Sequence, residues 1–249
     1  MGTPEVEKIT PYGSEESKTG QVEQMFDSIA GAYDFMNTAM TFGLHRWWRN
    51  RALSRLRGVP HADILDVATG TGDVAFALSR RLAPRSVVGV DLSAGMLEVA
   101  RRRLAEQPEE VRRRITFEQG DSLHLRFADA SFDAVTVAYG VRNFEHLEEG
   151  LREMARVLRP GGTLCVVELS VPRNPLVRAG YNLYAKGIIP MVGRMVSGDS
   201  RAYTYLPESI ARTPQRGEMT ALMTRAGLSD ASWRSLTLGV VTIYTATKR

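Results

Sequence analysis

Apolar residues fall into two rhythms along the chain. Between Ala62 and Leu169, short apolar runs alternate with helical stretches. Ala62–Val67, Ser86–Val90, Ile115–Gln119, Phe132–Ala138 and Thr163–Leu169 each read as a buried strand. A helix is predicted after Asp73 to about Leu82. Another starts from a Ser93 cap and runs to about Glu106. A third covers Leu147–Leu158 and is stopped by Pro160-Gly161-Gly162. Strand and helix at this spacing predict a largely parallel sheet covered on both faces. The chain ends differently. Leu228–Thr237 and Val240–Thr247 are β-rich runs with only Leu238-Gly239 between them, which predicts an antiparallel hairpin. The expected fold is α/β: a doubly wound, mostly parallel, seven-stranded sheet closed by that C-terminal hairpin.

Two regions lie outside this alternation. From Gln21, Val22, Met25, Phe26 and Ile29 recur at helical spacing, and a second helix is predicted from His45 to Leu56. Residues 21–57 are therefore read as N-terminal helices. Val171–Arg212 is too long for a plain connection and carries many aliphatic and tyrosine side chains. It predicts one or two helices and a loop forming a lid, before a last helix over Thr213–Gly227. Met1–Gly20 is rich in Glu, Ser, Thr, Gly and Pro and reads as a flexible tail, leaving residues 21–249 as one domain.

Composition narrows this only a little. A net charge of +4 from 32 basic and 28 acidic residues is compatible with nucleic acid or an anionic membrane surface and requires neither. The arginine runs Arg101–Arg103 and Arg112–Arg114 lack the interleaved aromatics of a nucleic-acid interface. They read as a solvated face, with lipid head groups as the functional alternative. No nucleic acid is expected as a partner. The single cysteine, Cys165, excludes an internal disulfide and fits a reducing cytoplasm. No run approaches the ~18 apolar residues of a membrane span.

The candidate chemistry begins at Asp66-Val67-Ala68-Thr69-Gly70-Thr71-Gly72-Asp73, where the first predicted strand meets its helix. Glycines there let a ligand approach the backbone, and the helix presents its first N–H groups to it. Asp91, ending the second strand, can accept hydrogen bonds from ribose hydroxyls. Asp121, after the third strand, can accept from an adenine amine. All lie on the edge where such sheets bind ligands. Gly70-x-Gly72 with Asp91 also satisfies the dinucleotide fingerprint, so a nicotinamide cofactor and S-adenosylmethionine both remain open on the loop alone. Asp73, placed where a pyrophosphate would sit, favours the cationic methyl donor. Asp121 and the terminal hairpin favour it too.

Four further motifs stand out. They are Tyr33-Asp34-Phe35-Met36-Asn37, Gly43-Leu44-His45-Arg46-Trp47-Trp48, Tyr139-Gly140-Val141-Arg142-Asn143, and Arg156–Leu164 running on to Glu168-Leu169-Ser170. Together with the glycine loop they resemble the menaquinone and ubiquinone biosynthesis C-methyltransferases, over nearly the whole chain from Val22. Thr41 stands where that family usually has Ser, and Arg159 where it usually has Lys. The resemblance implies a class I, Rossmann-like methyltransferase fold. It implies methylation of a ring carbon of a polyprenylated quinol, demethylmenaquinol or a ubiquinol precursor, using S-adenosylmethionine. It also implies Thr71, Asp91, Asp121 and Ser122 as cofactor contacts, to which the physical argument adds Asp66, Gly70 and Gly72.

Such a reaction needs a base for the quinol hydroxyl, or a cation that stabilises the phenolate. His45 is the candidate base, with packing beside Trp47 and Trp48 as the bland alternative. Arg142 is the candidate cation, with anchoring of Glu145 as its alternative. Asp34 and Tyr139 are candidates for orienting the ring, and Asn143 for holding a quinol oxygen. Peripheral contact with the inner face of a membrane and a homodimer are further expectations. An RNA or other small-molecule methyltransferase, a nicotinamide oxidoreductase and a non-catalytic cofactor binder are the competing classes.

Overall fold

The computed structural model describes residues 3–56, 62–188 and 200–249. Arg57, Ile189, Met191, Val192 and Met195, which belong to the expected N-terminal helices and insertion, lie outside them.

Seven strands form one sheet: β1 (Asp63–Val67), β2 (Ser86–Asp91), β3 (Ile115–Gln119), β4 (Phe132–Ala138), β5 (Leu158–Leu169), β6 (Leu228–Leu236) and β7 (Val241–Lys248). Their order is β3-β2-β1-β4-β5-β7-β6. The first five are mutually parallel, and β7 runs antiparallel to both β5 and β6. Beyond the register shift at Phe132–Ala134, side chains alternate across the central strands. Leu65, Val67, Val135, Val137, Leu164 and Val166 enter one core, while Ile64, Val87, Ala134, Cys165 and Val167 enter the other. Burial on both faces is why these strands read as continuous apolar runs. β5 begins earlier than expected: Leu158 already pairs with Phe132, and Pro160-Gly161-Gly162 sits within the strand where its register with β4 shifts. The hairpin connection is a single turn, Thr237–Gly239, with Thr237 and Leu238 both at positive φ.

The helices are α1 (Lys18–Ile29), α2 (Tyr33–Thr41), α3 (Leu44–Leu53), α4 (Asp73–Leu82), α5 (Ala94–Ala105), α6 (Glu109–Arg112) and α7 (Leu147–Val157), then α8 (Pro175–Leu183), α9 (Ser200–Arg212) and α10 (Gly217–Arg225). Ser93 caps α5 by accepting from the Met96 N–H at 3.0 Å. The YDFMN motif lies on α2, a helix that periodicity alone did not indicate. The last helix is shorter than expected because Thr213–Arg216 form a connection instead.

The N-terminal segment corrects the flexible-tail expectation. Val6 and Ile9 are buried in the core. Lys18 Nζ, itself buried, donates to the carbonyls of Val6 (2.6 Å) and Arg142 (3.2 Å). Glu7 accepts from the Leu147 N–H at 2.9 Å, supplying the cap that His146 does not give α7. Gln21 holds Tyr12, Ser14 and Glu16 through three hydrogen bonds. Polar composition misled because a few buried anchors and caps suffice to order a short segment.

Candidate active site

Strand order reverses between β1 and β4, opening a crevice at their carboxyl ends. A cleft there is lined by Gly70, Asp91, Leu92, Asp121 and Ser122 from the sheet edge, by Met96 from α5, and by Val22, Phe26 and Tyr33 from α1 and α2. Gly70 has φ +55°, and a Cβ there would point into open space, so its backbone is accessible. Asp91 is locked by two backbone donors, the Gly70 N–H at 2.7 Å and the Ser93 N–H at 2.9 Å. Burial outweighs those bonds and pushes its pKa up to about 6. Asp121 accepts from the Leu123 N–H at 2.9 Å and faces His124.

Three other loop residues, Asp66, Thr71 and Gly72, do not line this cleft. Asp66 lies beneath the loop, where both oxygens accept from hydroxyls: Thr69 and Thr136, each at 2.6 Å. Burial pushes its pKa up to about 7. Its role is to brace the loop. Gly72 is dictated by packing, since a Cβ would stand 2.7 Å from the Phe117 ring, and its φ is +84°. Thr71 turns its hydroxyl to Asp34 at 2.6 Å, and its carbonyl accepts from Arg103.

Asp34 is corrected as well. Its second oxygen accepts from Arg103 at 2.9 Å, and the residue lines neither the cleft nor the cavity described next. Arg103 also binds Asp73 (2.6 Å), whose other oxygen takes Arg49 (2.6 Å). Asp73 is thus neutralised by two guanidiniums, and the argument that it selects a cationic cofactor loses its force. This network ties α2, α3 and α5 to the glycine loop.

A second hollow of about 450 Å³ opens beside the cleft. Its walls are largely apolar, with Met25, Ile29, Met36, Met40, Trp48, Val177, Leu206 and Val240 drawn from α1–α3, α8, α9 and the hairpin turn. Phe26, Tyr33, Tyr139 and Asn143 line both hollows and mark where they meet. Four buried polar atoms of its lining residues have no hydrogen-bond partner: Tyr139 Oη, Arg142 Nε, Asn143 Oδ1 and Tyr205 Oη. Such orphans are costly unless a ligand satisfies them. Tyr139 also holds φ +59°, a conformation that L-residues rarely adopt.

Arg142 is buried and pairs with Glu168 Oε1 at 2.9 Å, and Glu168 Oε2 also accepts the Arg142 backbone N–H. The Tyr139 carbonyl accepts from the same guanidinium nitrogen. Burial opposes the charge, but Glu168 more than offsets it and holds the pKa above the ordinary arginine value. Glu145, the partner suggested by sequence proximity, instead accepts from Thr19.

His45 is half-buried on the cavity wall, and its Nδ1 lies 2.8 Å from Thr41 Oγ1. The single Thr41 proton goes to the Asn37 carbonyl at 2.6 Å. The hydroxyl oxygen must therefore accept from Nδ1–H, which leaves Nε2 with a free lone pair. Burial lowers the His45 pKa, so the ring is neutral at neutral pH.

Sequence reasoning assigned no role to Glu168, Tyr205, Tyr181 or Tyr33, although Glu168 and Tyr33 lie in the quoted motifs. Glu168 had a signal: an acid at the end of the apolar run Leu164–Val167. Tyr181 and Tyr205 sat in the insertion without one.

The chain matches the model of the ubiE/COQ5 methyltransferase family over residues 14–248. It is 48% identical to a demethylmenaquinone methyltransferase of Porphyromonas gingivalis, over 97% of this chain and 98% of that protein. It is 41% identical to a ubiquinone/menaquinone biosynthesis C-methyltransferase UbiE of Geobacter sulfurreducens, over 97% of this chain and 93% of that protein. Among solved structures it is similar in fold to a SAM-dependent methyltransferase of Thermotoga maritima, described as a possible histamine N-methyltransferase (TM-score 0.64, 19% identity, 91% of this chain and 99% of that one). It is also similar to phosphoethanolamine N-methyltransferase 2 of Haemonchus contortus, solved with S-adenosyl-L-methionine (TM-score 0.59, 16% identity, 81% of this chain and 52% of that one).

Proposed function

This chain belongs to the ubiE/COQ5 methyltransferase family, and from that premise we propose that it methylates a ring carbon of demethylmenaquinol with S-adenosylmethionine as donor. The observation that carries the substrate half is the apolar cavity with four orphaned polar atoms, joined to the cofactor cleft at Tyr33, Tyr139 and Asn143. A polyprenylated quinol has the matching character: an oxygenated ring and a greasy tail.

The cleft fits the donor. Asp91 keeps lone pairs beyond its two backbone bonds, Gly70 leaves its backbone open, and Asp121 and Ser122 complete the rim. When bound, S-adenosylmethionine supplies an electrophilic methyl group on its sulfonium. The protein must supply a nucleophilic ring carbon. His45 Nε2 takes the proton of the quinol hydroxyl, raising electron density at the ring carbon. Arg142 stabilises the phenolate; its charge is fixed and its Nε–H is unpartnered. Glu168 positions that guanidinium, and Asn143 and Tyr139 orient the ring where the hollows meet. Asp34, Thr71 and Arg103 hold α2 against the glycine loop, which places Tyr33. Within residues 171–212, Leu176, Val177, Tyr181, Tyr184, Leu206 and Ile210 line the cavity and serve as the lid over the tail.

The test is label transfer from S-adenosylmethionine to chemically reduced demethylmenaquinone, with a demethylated ubiquinol precursor in parallel. Label in the menaquinone arm is the expected result. Label in neither, with the protein folded, would refute the reading. The ubiquinol reading has its own support, the UbiE relative named for both pathways, and label in that arm alone would select it.

A further inference from the structure

The exposed apolar side chains are not scattered. Among the described residues, every exposed large apolar side chain falls within residues 35–62, 169–198 or 231–247. Those three stretches hold none of the 28 acidic residues and ten of the 32 basic ones. The modest net charge of +4 therefore hides a strongly basic, greasy part and an acidic remainder.

Described residues of the three stretches meet in space. Tyr184 Oη donates to the Met40 carbonyl at 2.7 Å, joining the segment after α8 to α2. Trp48 Nε1 donates to Thr237 Oγ1 at 2.7 Å, joining α3 to the hairpin turn. Phe42 and Leu176 are 83% and 84% exposed, yet both also line the apolar cavity, so they stand at its mouth. Leu44 does the same, and the exposed Trp47, Leu183 and Leu238 are next in the chain to the lining residues Trp48, Tyr184 and Thr237. Phe42 sits at the α2–α3 corner with φ +49°, a strained backbone that holds its ring out to solvent. Arg46, Arg173, Arg178 and Arg234 are exposed on the same segments.

We propose that this rim docks on an anionic phospholipid bilayer, with the cavity mouth against the lipid. Exposed apolar side chains that share acid-free stretches with exposed arginines match an interface whose head groups are negative and whose interior is apolar. A second copy of the chain is a poorer occupant. An isologous pair through this face would set its arginines against their own copies. Nor do the arginine runs serve as well. Arg103 is held by Asp34 and Asp73, Arg101 by the Phe117 carbonyl, and Arg113 by Glu109. The purpose of the docking, delivery of a tail from the bilayer, rests on the quinol reading; the docking itself does not.

The full chain is sedimented with vesicles of phosphatidylglycerol and phosphatidylcholine in equal parts, and with phosphatidylcholine alone. Binding to the first that weakens with salt is expected. Trp47→Glu combined with Leu183→Glu should lower the partition coefficient about tenfold or more. Arg112→Gln combined with Arg113→Gln should leave it unchanged. Melting temperature and cofactor binding of each variant check that the fold survives. Undiminished binding by the rim variant, or no binding by the native chain, overturns the proposal. So does a native dimer that the rim variant dissociates, which would give the face to a second copy. Loss of vesicle binding with methyl transfer to detergent-dispersed quinol intact is the result expected of the rim variant. Vesicle binding by a native chain that methylates no quinol would overturn the substrate reading and leave the docking standing.

Discussion

The cleft and the cavity meet at four residues but are built on opposite principles. The cleft is made of backbone: a glycine loop, two strand ends and a carboxylate held by two N–H groups. Its polar groups are satisfied within the protein before any ligand arrives. The cavity is made of side chains from distant segments, and it leaves polar atoms unpaired in an apolar wall. A preorganised, satisfied site suits a ligand held by backbone groups, whatever the acceptor. An unsatisfied apolar site suits a particular acceptor. The difference predicts that binding of the donor and turnover of the acceptor can be separated by mutation.

The largest separation should come at Arg142. Arg142→Ala should lower turnover by about 10²–10³-fold while leaving cofactor affinity within about twofold. Glu168→Gln should cost about 3–5 kcal/mol of stability because it leaves a buried guanidinium unpaired, and Arg142→Ala a comparable amount because it strands the Glu168 carboxylate, but only Arg142→Ala removes the cation from the ring. Single-turnover kinetics and calorimetry with the cofactor, run below the melting range of both variants, distinguish the two. A matching loss of cofactor binding in Arg142→Ala would erase the division between the hollows.

Next is the acid beneath the loop. The native Asp66 pKa, about 7, lies above the ordinary 3.8, so the folded state holds that proton more tightly than the unfolded chain. Stability is then greatest below about pH 4, falls as pH rises through the window to about 7, and levels off above it. The contribution is roughly 2–4 kcal/mol over that window. Asp66→Asn, which still accepts from one threonine and donates to the other, should flatten this slope in denaturant titrations. An unchanged slope would move the effect to Asp91, which shifts in the same direction. The third test reverses the first. Asp91→Ala should weaken cofactor binding by about 10–100-fold, the worth of a charged hydrogen-bonding group. Turnover at saturating cofactor should change far less.

The same contrast decides what could be read from sequence. The strand ends, the Ser93 cap and the Gly70–Asp91 pair depend on neighbours in sequence or on the regular advance of a parallel sheet, so pattern alone places them. The α2 helix was missed because it is only nine residues long and its cavity-facing stripe, Tyr33, Met36 and Met40, is interrupted by the exposed Phe35. Glu168 reaches Arg142 across 26 residues, Thr19 captures Glu145 across 126, and Lys18 reaches the Arg142 carbonyl across 124. No local signal carries such pairings. Asp73 shows the converse error. Its position was right, but the argument from its charge failed because Arg49 and Arg103, distant in sequence, neutralise it.

The smallest effect probes the cavity most finely. Thr41 ends α2 and faces His45 across the α2–α3 corner, and its hydroxyl fixes which imidazole nitrogen carries the proton. Ser would do the same, and Thr41→Ser should leave turnover unchanged. Thr41→Val keeps the shape and removes the acceptor. The ring can then carry its proton on Nε2, the nitrogen that must be free, and turnover should fall about fivefold. Because burial holds the His45 pKa below its ordinary 6.5, native activity should persist into mildly acidic solution and fall only as pH drops through that lowered value. His45→Gln should lose that acid limb together with most of the rate. Thr41→Val should keep the limb while the plateau drops. If Thr41→Val and Thr41→Ser behave alike, the histidine is a packed wall residue, and the base lies elsewhere in the cavity.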